Sequence, residues 1–310
     1  WIFILHGDGI FHIFTDFPLE SVCFLLAFWF RYLYLSRYRI CPSNIRQGGV
    51  ALDVIFHLQQ IVDGGLCNRS IIAVQELING ISFILNKGEF VAIVGPSGCG
   101  KSTLLSIIAG LLIPEKGFIK INGKYLHEST TNVGYMLQHD ELFEWRTIYN
   151  NVILGLEIQH MLTARTREKA HNLLDIYGLK QFENARPSEL SGGMRQRVAL
   201  IRTLAAGPDI LLLDEAFSAL DYQTRLNVTD DVYRILKREQ VTTLMVTHDI
   251  PESISMGDKI LVLSARPAQV KEILSVDFGP GRSPLSCRAN RQFGPYFDHI
   301  WKELSTDEKS

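Results

Sequence analysis

The chain contains short apolar runs, and each of them is followed directly by glycine or polar residues. These runs are Glu89–Val94, Ile210–Leu213 and Val241–Val246. Short runs rich in Val, Ile and Leu are typical of buried strands. Ligands of α/β proteins bind at the carboxyl ends of parallel strands. The polar residues after these three runs are therefore the first candidates for a functional site.

The first run leads into a glycine-rich loop and then into a helical pattern. Before it, Ile81–Leu85 alternates like a strand and Asn86–Gly88 predicts a turn, while Leu104–Leu112 has helical character. The loop itself and the residue after it comprise Gly95, Pro96, Ser97, Gly98, Cys99, Gly100, Lys101, Ser102 and Thr103. The G-x-x-x-x-G-K-S pattern between a strand and a helix predicts a P-loop.

A P-loop binds the phosphates of a nucleotide, and the residue types present here suit that chemistry. Glycines let successive N–H groups converge on phosphate oxygens, and a helix beginning near Lys101 adds the positive end of its dipole. Lys101 offers a cation to the β- and γ-phosphates, and Ser102 offers a hydroxyl to Mg²⁺. We expect the Cys99 thiol to have no role. A glycine turn beside an exposed lysine is the alternative interpretation.

Two carboxylates and a histidine follow the other two runs. Asp214 and Glu215 come directly after the second run, and His248 follows the third. Beside a P-loop, Asp214 would orient a water bound to Mg²⁺, and Glu215 would hold or deprotonate the attacking water. His248 would contact the γ-phosphate. Taken singly, an exposed acidic pair and a surface histidine are the simpler interpretations.

Charge and cysteine content narrow the class of protein. The 310 residues include 31 basic and 33 acidic side chains, a net charge of -2, which lacks the basic excess of a dedicated nucleic-acid binder. The five cysteines are odd in number and form no C-x-x-C pair. This argues against a disulfide framework or a zinc site and indicates a reducing compartment, the cytoplasm.

The segment 1–67 differs in composition from the rest of the chain. Twelve of its first 40 residues are aromatic, against 31 in the whole chain. Its longest apolar stretch, Val22–Phe30, is ended by Arg31 and is too short to span a bilayer, which needs about 20 residues. We expect an atypical leader that is disordered or not native. A membrane-contacting anchor is the alternative.

The stretch Leu190–Arg197 reads L-S-G-G-M-R-Q-R, and with the P-loop, the acidic pair and His248 it resembles the signature of ABC ATPases. That resemblance implies a P-loop ABC cassette with a mixed, largely parallel sheet, an antiparallel β subdomain before and after Gly95, and an inserted helical subdomain. It also implies that two cassettes face head to tail. ATP on one P-loop is then covered by the partner's signature, here Ser191, Gly192, Gly193 and Gln196.

Other positions follow from the same resemblance. Gln138, predicted to end a strand, matches the Q-loop glutamine that reaches Mg²⁺ and the attacking water, and Asp221 matches the D-loop at the dimer seam. A helical subdomain over about 139–205 includes the patterns Asn150–Leu162 and Arg167–Tyr177, and an apolar helix is predicted at Val198–Ala206. Glu144–Ile148 would receive the permease. The family's adenine-stacking aromatic is missing from Ser70–Val74.

The resemblance covers residues 68–275 as the cassette. The end of the chain is similar to the nitrate, sulfonate and taurine importer ATPases, and so are three motifs within the cassette, Trp145–Thr147, Ala216–Ala219 and Ala265–Pro267. The resemblance implies a homodimer at the cytoplasmic face of the membrane, transmembrane permease subunits and an extracytoplasmic solute-binding protein. Residues 276–310 form an extension with an apolar helical stripe, expected to pack on the cassette. The stripe comprises Phe293, Tyr296, Phe297, Ile300, Trp301 and Leu304. A non-transport ABC-type ATPase or a regulatory nucleotide-binding module is the alternative function.

Overall fold

The computed structural model describes residues 4–6, 9–11, 53–60, 75–114, 116–121, 124–126 and 132–305. The chain divides into two units, residues 1–46 and 47–310. In the first unit, β1 (Ile4–His6) and β2 (Gly9–Phe11) form an antiparallel hairpin in which Ile4 lies opposite Phe11. The apolar stretch Val22–Phe30 and the adenine-stacking segment Ser70–Val74 lie outside the described residues.

The described residues of the second unit form two sheets. Its strands are β3 (Asp53–Gln60), β4 (Gln75–Phe83), β5 (Phe90–Val94), β6 (Lys116–Ile121), β7 (Lys124–Tyr125), β8 (Val133–Met136), β9 (Ile210–Asp214), β10 (Thr242–Val246), β11 (Lys259–Leu263) and β12 (Val270–Ser275). The larger sheet has the order β12-β11-β5-β10-β9-β8, in which only β12 runs antiparallel to its neighbour. The predicted mixed, largely parallel sheet is confirmed.

The smaller sheet is antiparallel, with the order β4-β3-β6-β7. β3 and β4 precede Gly95 and β6 and β7 follow it, as the family resemblance implies. β3 lies before the boundary predicted at residue 68, yet it pairs along its length with β4 and through Asp53–His57 with β6. The smaller sheet therefore includes strand residues that composition alone assigned to the leader.

The helices separate the strands of the larger sheet. They are α1 (Lys101–Ile108), α2 (Ile148–Val152), α3 (Leu154–Ile158), α4 (Ala164–Ile176), α5 (Gly192–Ala205), α6 (Tyr222–Arg238), α7 (Ile250–Met256), α8 (Pro284–Arg288) and α9 (Phe293–Ser305). α5 starts before the predicted Val198 because the Ser191 side chain caps it, accepting from the N–H of Met194. The signature glycines thus lie inside the first turn of a helix.

The core is built on both faces of β5. All five residues of this strand are at most 2% exposed. Phe90, Ala92 and Val94 belong to the cluster that includes α5 and α6, whereas Val91 and Ile93 belong to the cluster that includes α1. Successive side chains of a strand point to opposite faces, and each fully buried one contributes roughly 1.5–3 kcal/mol. This burial fixes the position of the loop that follows Val94.

The C-terminal extension packs on the cassette. Arg282, whose side chain is 9% exposed, donates to the Tyr233 hydroxyl, to Asp258 and to backbone carbonyls that include that of Gly257 at 2.8 Å. On α9, Ile300 is fully buried, and four other members of the stripe pack against the same core cluster. Trp301 was wrongly included in the packing face. It is 59% exposed, because it lies about 100° around the helix from the fully buried Ile300, and its ring stacks on that of Phe297.

Among the helices in the described ranges, none combines the length and the apolar character that a membrane span requires.

Candidate functional site

The P-loop connects the end of β5 to the start of α1. Gly98 and Gly100 have φ angles of 74° and 116°, values that side chains with a Cβ rarely adopt. A Cβ on Gly100 would also come within 3.1 Å of the Leu77 side chain. Gly100 is the N-cap residue, so α1 begins at Lys101 as predicted. The loop therefore presents backbone N–H groups together with the positive end of a helix.

Lys101 is buried inside this loop. Its ammonium is bonded to the carbonyl oxygens of Gly95 at 2.8 Å and Pro96 at 2.9 Å, and the residue is only 6% exposed. A buried cation needs such partners, since desolvation without them is costly. Cys99 is 2% exposed, and burial raises the pKa of its thiol. The thiol therefore stays protonated, as expected for a group without a chemical role.

Asp214 lies opposite the P-loop hydroxyl. Ser102 Oγ donates to Asp214 Oδ1 at 3.0 Å, and the Tyr135 hydroxyl donates to Oδ2 at 3.1 Å. Burial raises the pKa of Asp214, whereas these two hydrogen bonds oppose that rise. Burial and the neighbouring carboxylate also raise the pKa of Tyr135, which keeps its hydroxyl a donor. The strand order places β9 next but one to β5, which brings these groups together.

Glu215 is held in a backbone conformation that is uncommon outside glycine. Its φ is 47°, and its N–H donates to the Val246 carbonyl at 2.9 Å. Ser218 bonds to the Glu215 carbonyl through both N–H and hydroxyl. The Glu215 carboxylate then lies 3.1 Å from Nδ1 of His248, an exposed residue just after β10. Strained residues fixed in this way are common at active sites.

Gln138 does not end a strand, contrary to the sequence prediction. β8 stops at Met136, and Gln138 lies in the exposed segment beyond it. Its side-chain amide donates to Ser218 Oγ at 3.1 Å, which brings it next to Glu215. A cleft of about 370 Å³ is lined by these groups. Its lining residues are Ser102, Leu137, Gln138, His139, Glu141, Asp214 and Glu215.

The signature residues do not line this cleft within the described part of the chain. Ser191 and Gly192 are exposed at the start of α5, whereas Gly193 and Gln196 are buried. A Cβ on Gly193 would come within 2.9 Å of the Val228 side chain, so this glycine is required by the close packing of α5 on α6. Asp221 caps α6 by accepting from the N–H of Thr224 at 3.1 Å.

Three residues around the cleft make contacts that the sequence motifs did not predict. Tyr135 bonds to Asp214, and Arg266 Nε donates to the Gly98 carbonyl at 2.6 Å across 168 residues of sequence. Arg225 donates to Asp249, next to His248, and to the Leu220 carbonyl. A hydroxyl and two cations of this kind are common on any surface, and only the sheet order brings them to the cleft.

Behind His248 lies a buried carboxyl group. Glu252 is 4% exposed; one of its carboxyl oxygens accepts from the Thr247 hydroxyl, and the other has no hydrogen-bond partner among the described residues. Burial raises its pKa to about 7, helped by the charge of Asp249, while the Thr247 hydroxyl, Arg225 and Arg288 oppose the rise. Glu252 therefore takes up a proton on folding at mildly acidic pH.

We expect the stability of the chain to decrease as the pH rises from about 4.5 to about 7. The folded state binds the Glu252 proton more tightly than the unfolded state, so this stabilisation is fully present below the unfolded pKa and is lost as the pH rises through the folded one. Relative to Glu252→Gln, the wild type should lose roughly 3 kcal/mol across this window. Urea unfolding of both proteins at several pH values measures the difference, and parallel curves would contradict it.

Comparison with known proteins identifies the same family as the sequence motifs. The model of the ABC transporter family matches residues 78–218. The ABC transporter ATP-binding protein YtlC of Bacillus subtilis is 47% identical over 75% of this chain and 90% of its own length. The nitrate import ATP-binding protein NrtD of Synechocystis is 41% identical over 72% of this chain and 86% of its own length. The aliphatic sulfonates import ATP-binding protein SsuB of Bacillus subtilis is 39% identical over 64% and 77%.

The fold is also found among solved structures. A chain described as a metal-chelate type ABC transporter in an inward-facing conformation superposes with a TM-score of 0.58 and 23% identity, covering 73% of this chain and 83% of that chain. The match supports the fold, and the identity of the curated relatives supports the family. The chain therefore belongs to the ABC transporter ATP-binding proteins, and it is an ATPase.

Proposed function

We propose that the chain is the ATP-hydrolysing subunit of an ABC importer. It would act as a homodimer of head-to-tail cassettes on two permease subunits at the cytoplasmic face of the membrane. Two relatives, NrtD and SsuB, are named as import proteins for nitrate and aliphatic sulfonates, which supports uptake of a small anion of the nitrate, sulfonate or taurine class or a related molecule. An extracytoplasmic solute-binding protein would deliver it.

ATP hydrolysis is supported by the complete set of phosphate-binding and acid–base groups around one cleft. Lys101 is already inside the P-loop, bonded to two carbonyl oxygens. On ATP binding its ammonium would turn from these carbonyls to the β- and γ-phosphates, while the N–H groups of the loop and the start of α1 bind the remaining oxygens.

The donor set beside the phosphates fits Mg²⁺. Ser102 Oγ and Asp214 Oδ1 are 3.0 Å apart, and Gln138 lines the same cleft. These side chains offer oxygen atoms, either as direct ligands or through a bound water, and Mg²⁺ prefers oxygen ligands. Bound there, Mg²⁺ would neutralise charge on the β- and γ-phosphate oxygens. Asp214 contributes a carboxylate whose pKa is raised by burial, and the hydrogen bonds from Ser102 and Tyr135 oppose that rise.

Glu215 would hold the attacking water and accept its proton. His248 lies 3.1 Å from its carboxylate and would keep it oriented while reaching for the γ-phosphate. Ser191 and Gly192, exposed at the start of α5, would cover the ATP of the partner cassette with a hydroxyl, a backbone N–H and a helix N-terminus. Asp221 would lie along the dimer seam.

The permease would dock at Glu144–Ile148. Trp145 is 43% exposed and stacks on Phe143 with ring centroids 4.6 Å apart. Arg146 is fixed by an ion pair with Glu157 at 2.6 Å. A rigid, exposed aromatic surface of this kind is typical of interface anchors.

Reconstitution with candidate permeases and solute-binding proteins in lipid nanodiscs tests the importer. We expect ATP turnover to rise several-fold when the binding protein carries its cargo. Nitrate, sulfonates and taurine are each tested separately as that cargo. Trp145→Ala should lower the ratio of stimulated to basal turnover, because the docking contact is lost. Trp301→Ala, which removes another exposed tryptophan, should keep that ratio. Equal ratios for the two variants would refute the docking surface.

A further inference from the structure

A two-pronged ion pair joins α5 to the segment that follows Gln138. Arg195 donates from Nε to Asp140 Oδ2 at 2.8 Å and from a terminal nitrogen to Oδ1 at 3.0 Å. Its other terminal nitrogen donates to Glu144 at 2.7 Å. Arg202, further along α5, donates to the backbone carbonyls of Glu141 and Asp140 at 2.6 and 2.8 Å. The same helix thus binds this segment at several points.

This contact is both partly buried and permanently charged. The side chains of Arg195 and Asp140 are 24% and 18% exposed. Burial alone would raise the pKa of Asp140, but the hydrogen bonds from Arg195 and from the N–H of Leu142 hold it below its usual value. The hydrogen bond to Asp140 raises the pKa of Arg195. Bidentate contacts between arginine and carboxylate fix distance and direction together, so the pair transmits orientation.

The pair lies between two parts of the nucleotide machinery. Asp140 comes two residues after Gln138, which lines the cleft of its own cassette. Arg195 comes two residues after Gly193, in the first turn of the helix that carries the signature. A displacement of the Gln138 segment would therefore move the start of α5 with it. Neither charged group lines the cleft itself, within the described residues.

We propose that Asp140 and Arg195 are positioning residues that connect the nucleotide site of a cassette with the signature it presents to its partner. ATP bound in the cleft holds Gln138, the ion pair transfers that orientation to α5, and Ser191 and Gly192 are aligned for the partner's ATP. The inference rests on the proposed head-to-tail dimer. It predicts that breaking the pair affects turnover and dimer closure and leaves the first nucleotide-binding step intact.

Asp140→Asn tests this, because asparagine keeps the shape of the side chain and removes its charge. We expect kcat to fall about tenfold or more, and the protein concentration for ATP-driven dimerisation in a Glu215→Gln background to rise about as much. The Kd of the monomer for a fluorescent ATP analogue should stay within about twofold. If Asp140→Asn folds poorly, Arg195→Lys replaces it in the test. Lysine keeps the positive charge but cannot form the two hydrogen bonds to Asp140, so the same losses of kcat and dimerisation are expected.

The matched control is Asp175→Asn, which makes the same Asp-to-Asn change and breaks an exposed ion pair with Lys180 in the same helical region, apart from Gln138. It should keep kcat and dimerisation near wild type. Asp140→Asn combined with Arg195→Lys removes the same contact from both sides, and a loss no larger than that of the single variants supports the proposal. Additive losses in that double variant, unchanged kcat in Asp140→Asn, or a Kd that weakens in proportion to kcat would each overturn it.

The same experiment separates this inference from the function on which it rests. If Glu215→Gln alone forms no ATP-bound dimer, the head-to-tail dimer fails and the positioning role fails with it. If Glu215→Gln dimerises and adding Asp140→Asn changes nothing, the dimer is retained and only the role of the ion pair is refuted.

Discussion

Replacing Glu215 by glutamine is expected to lower ATP turnover by at least about a hundredfold, the usual contribution of a general base. Glutamine fits the same space next to His248 but cannot accept a proton from water. The φ of 47° and the hydrogen bonds from Ser218 involve only the backbone of residue 215, so the turn should persist in the variant. ATP should therefore still bind and the dimer should still close.

Turnover and oligomeric state of Glu215→Gln, measured with Mg²⁺ and ATP, check both statements. We expect an inactive protein that elutes as a dimer with ATP and as a monomer without it. Glu239→Gln makes the same change on an exposed helix end away from the cleft and serves as the control. Residual turnover above about a tenth of wild type would indicate that another group activates the water.

Replacing Lys101 by methionine is expected to weaken ATP binding by at least about a hundredfold. Losing one partner of a buried, hydrogen-bonded charge pair costs roughly 2–5 kcal/mol, and each 1.4 kcal/mol is a factor of ten in affinity. Methionine keeps an unbranched apolar stem in a site that is 6% exposed. Because it also removes a buried charge, the free energy of unfolding should change by less than about 2 kcal/mol.

Equilibrium binding of ATP and urea unfolding of Lys101→Met measure the two quantities separately. Lys169→Met is the matched control, since that lysine also donates to a backbone carbonyl, that of Leu204, but lies on α4 away from the cleft. Normal affinity in Lys101→Met would contradict the assignment of the P-loop. Loss of folding would instead show that the lysine is needed for the loop itself.

The central strands and the residues at their ends were predictable because the pattern and the physics agree there. β5, β9 and β10 are buried on both faces, so their sequences are continuous apolar runs that end in polar residues. The P-loop requires glycine for its φ angles, and that requirement is visible in sequence. The same holds for the start of α1 at Lys101.

The remainder depends on contacts that sequence does not encode locally. Gln138 lies beyond β8 because this short strand ends early, and its partner Ser218 is 80 residues away. Trp301 is one of the apolar positions of α9, yet it lies at the edge of the stripe, about 100° from Ile300, and is exposed. β3 pairs in the smaller sheet although its surroundings in sequence resemble the leader.

The strand order of the larger sheet also affects how the chain can be made. β5 has β10 and β11 as its neighbours, and β10 begins about 150 residues after β5 ends. At synthesis rates of about 5–20 residues per second, roughly 10–30 s pass before either neighbour leaves the ribosome. Five residues that are almost fully buried in the finished sheet remain unpaired during that time. The P-loop strand is thus a segment of the nascent chain that needs protection from aggregation.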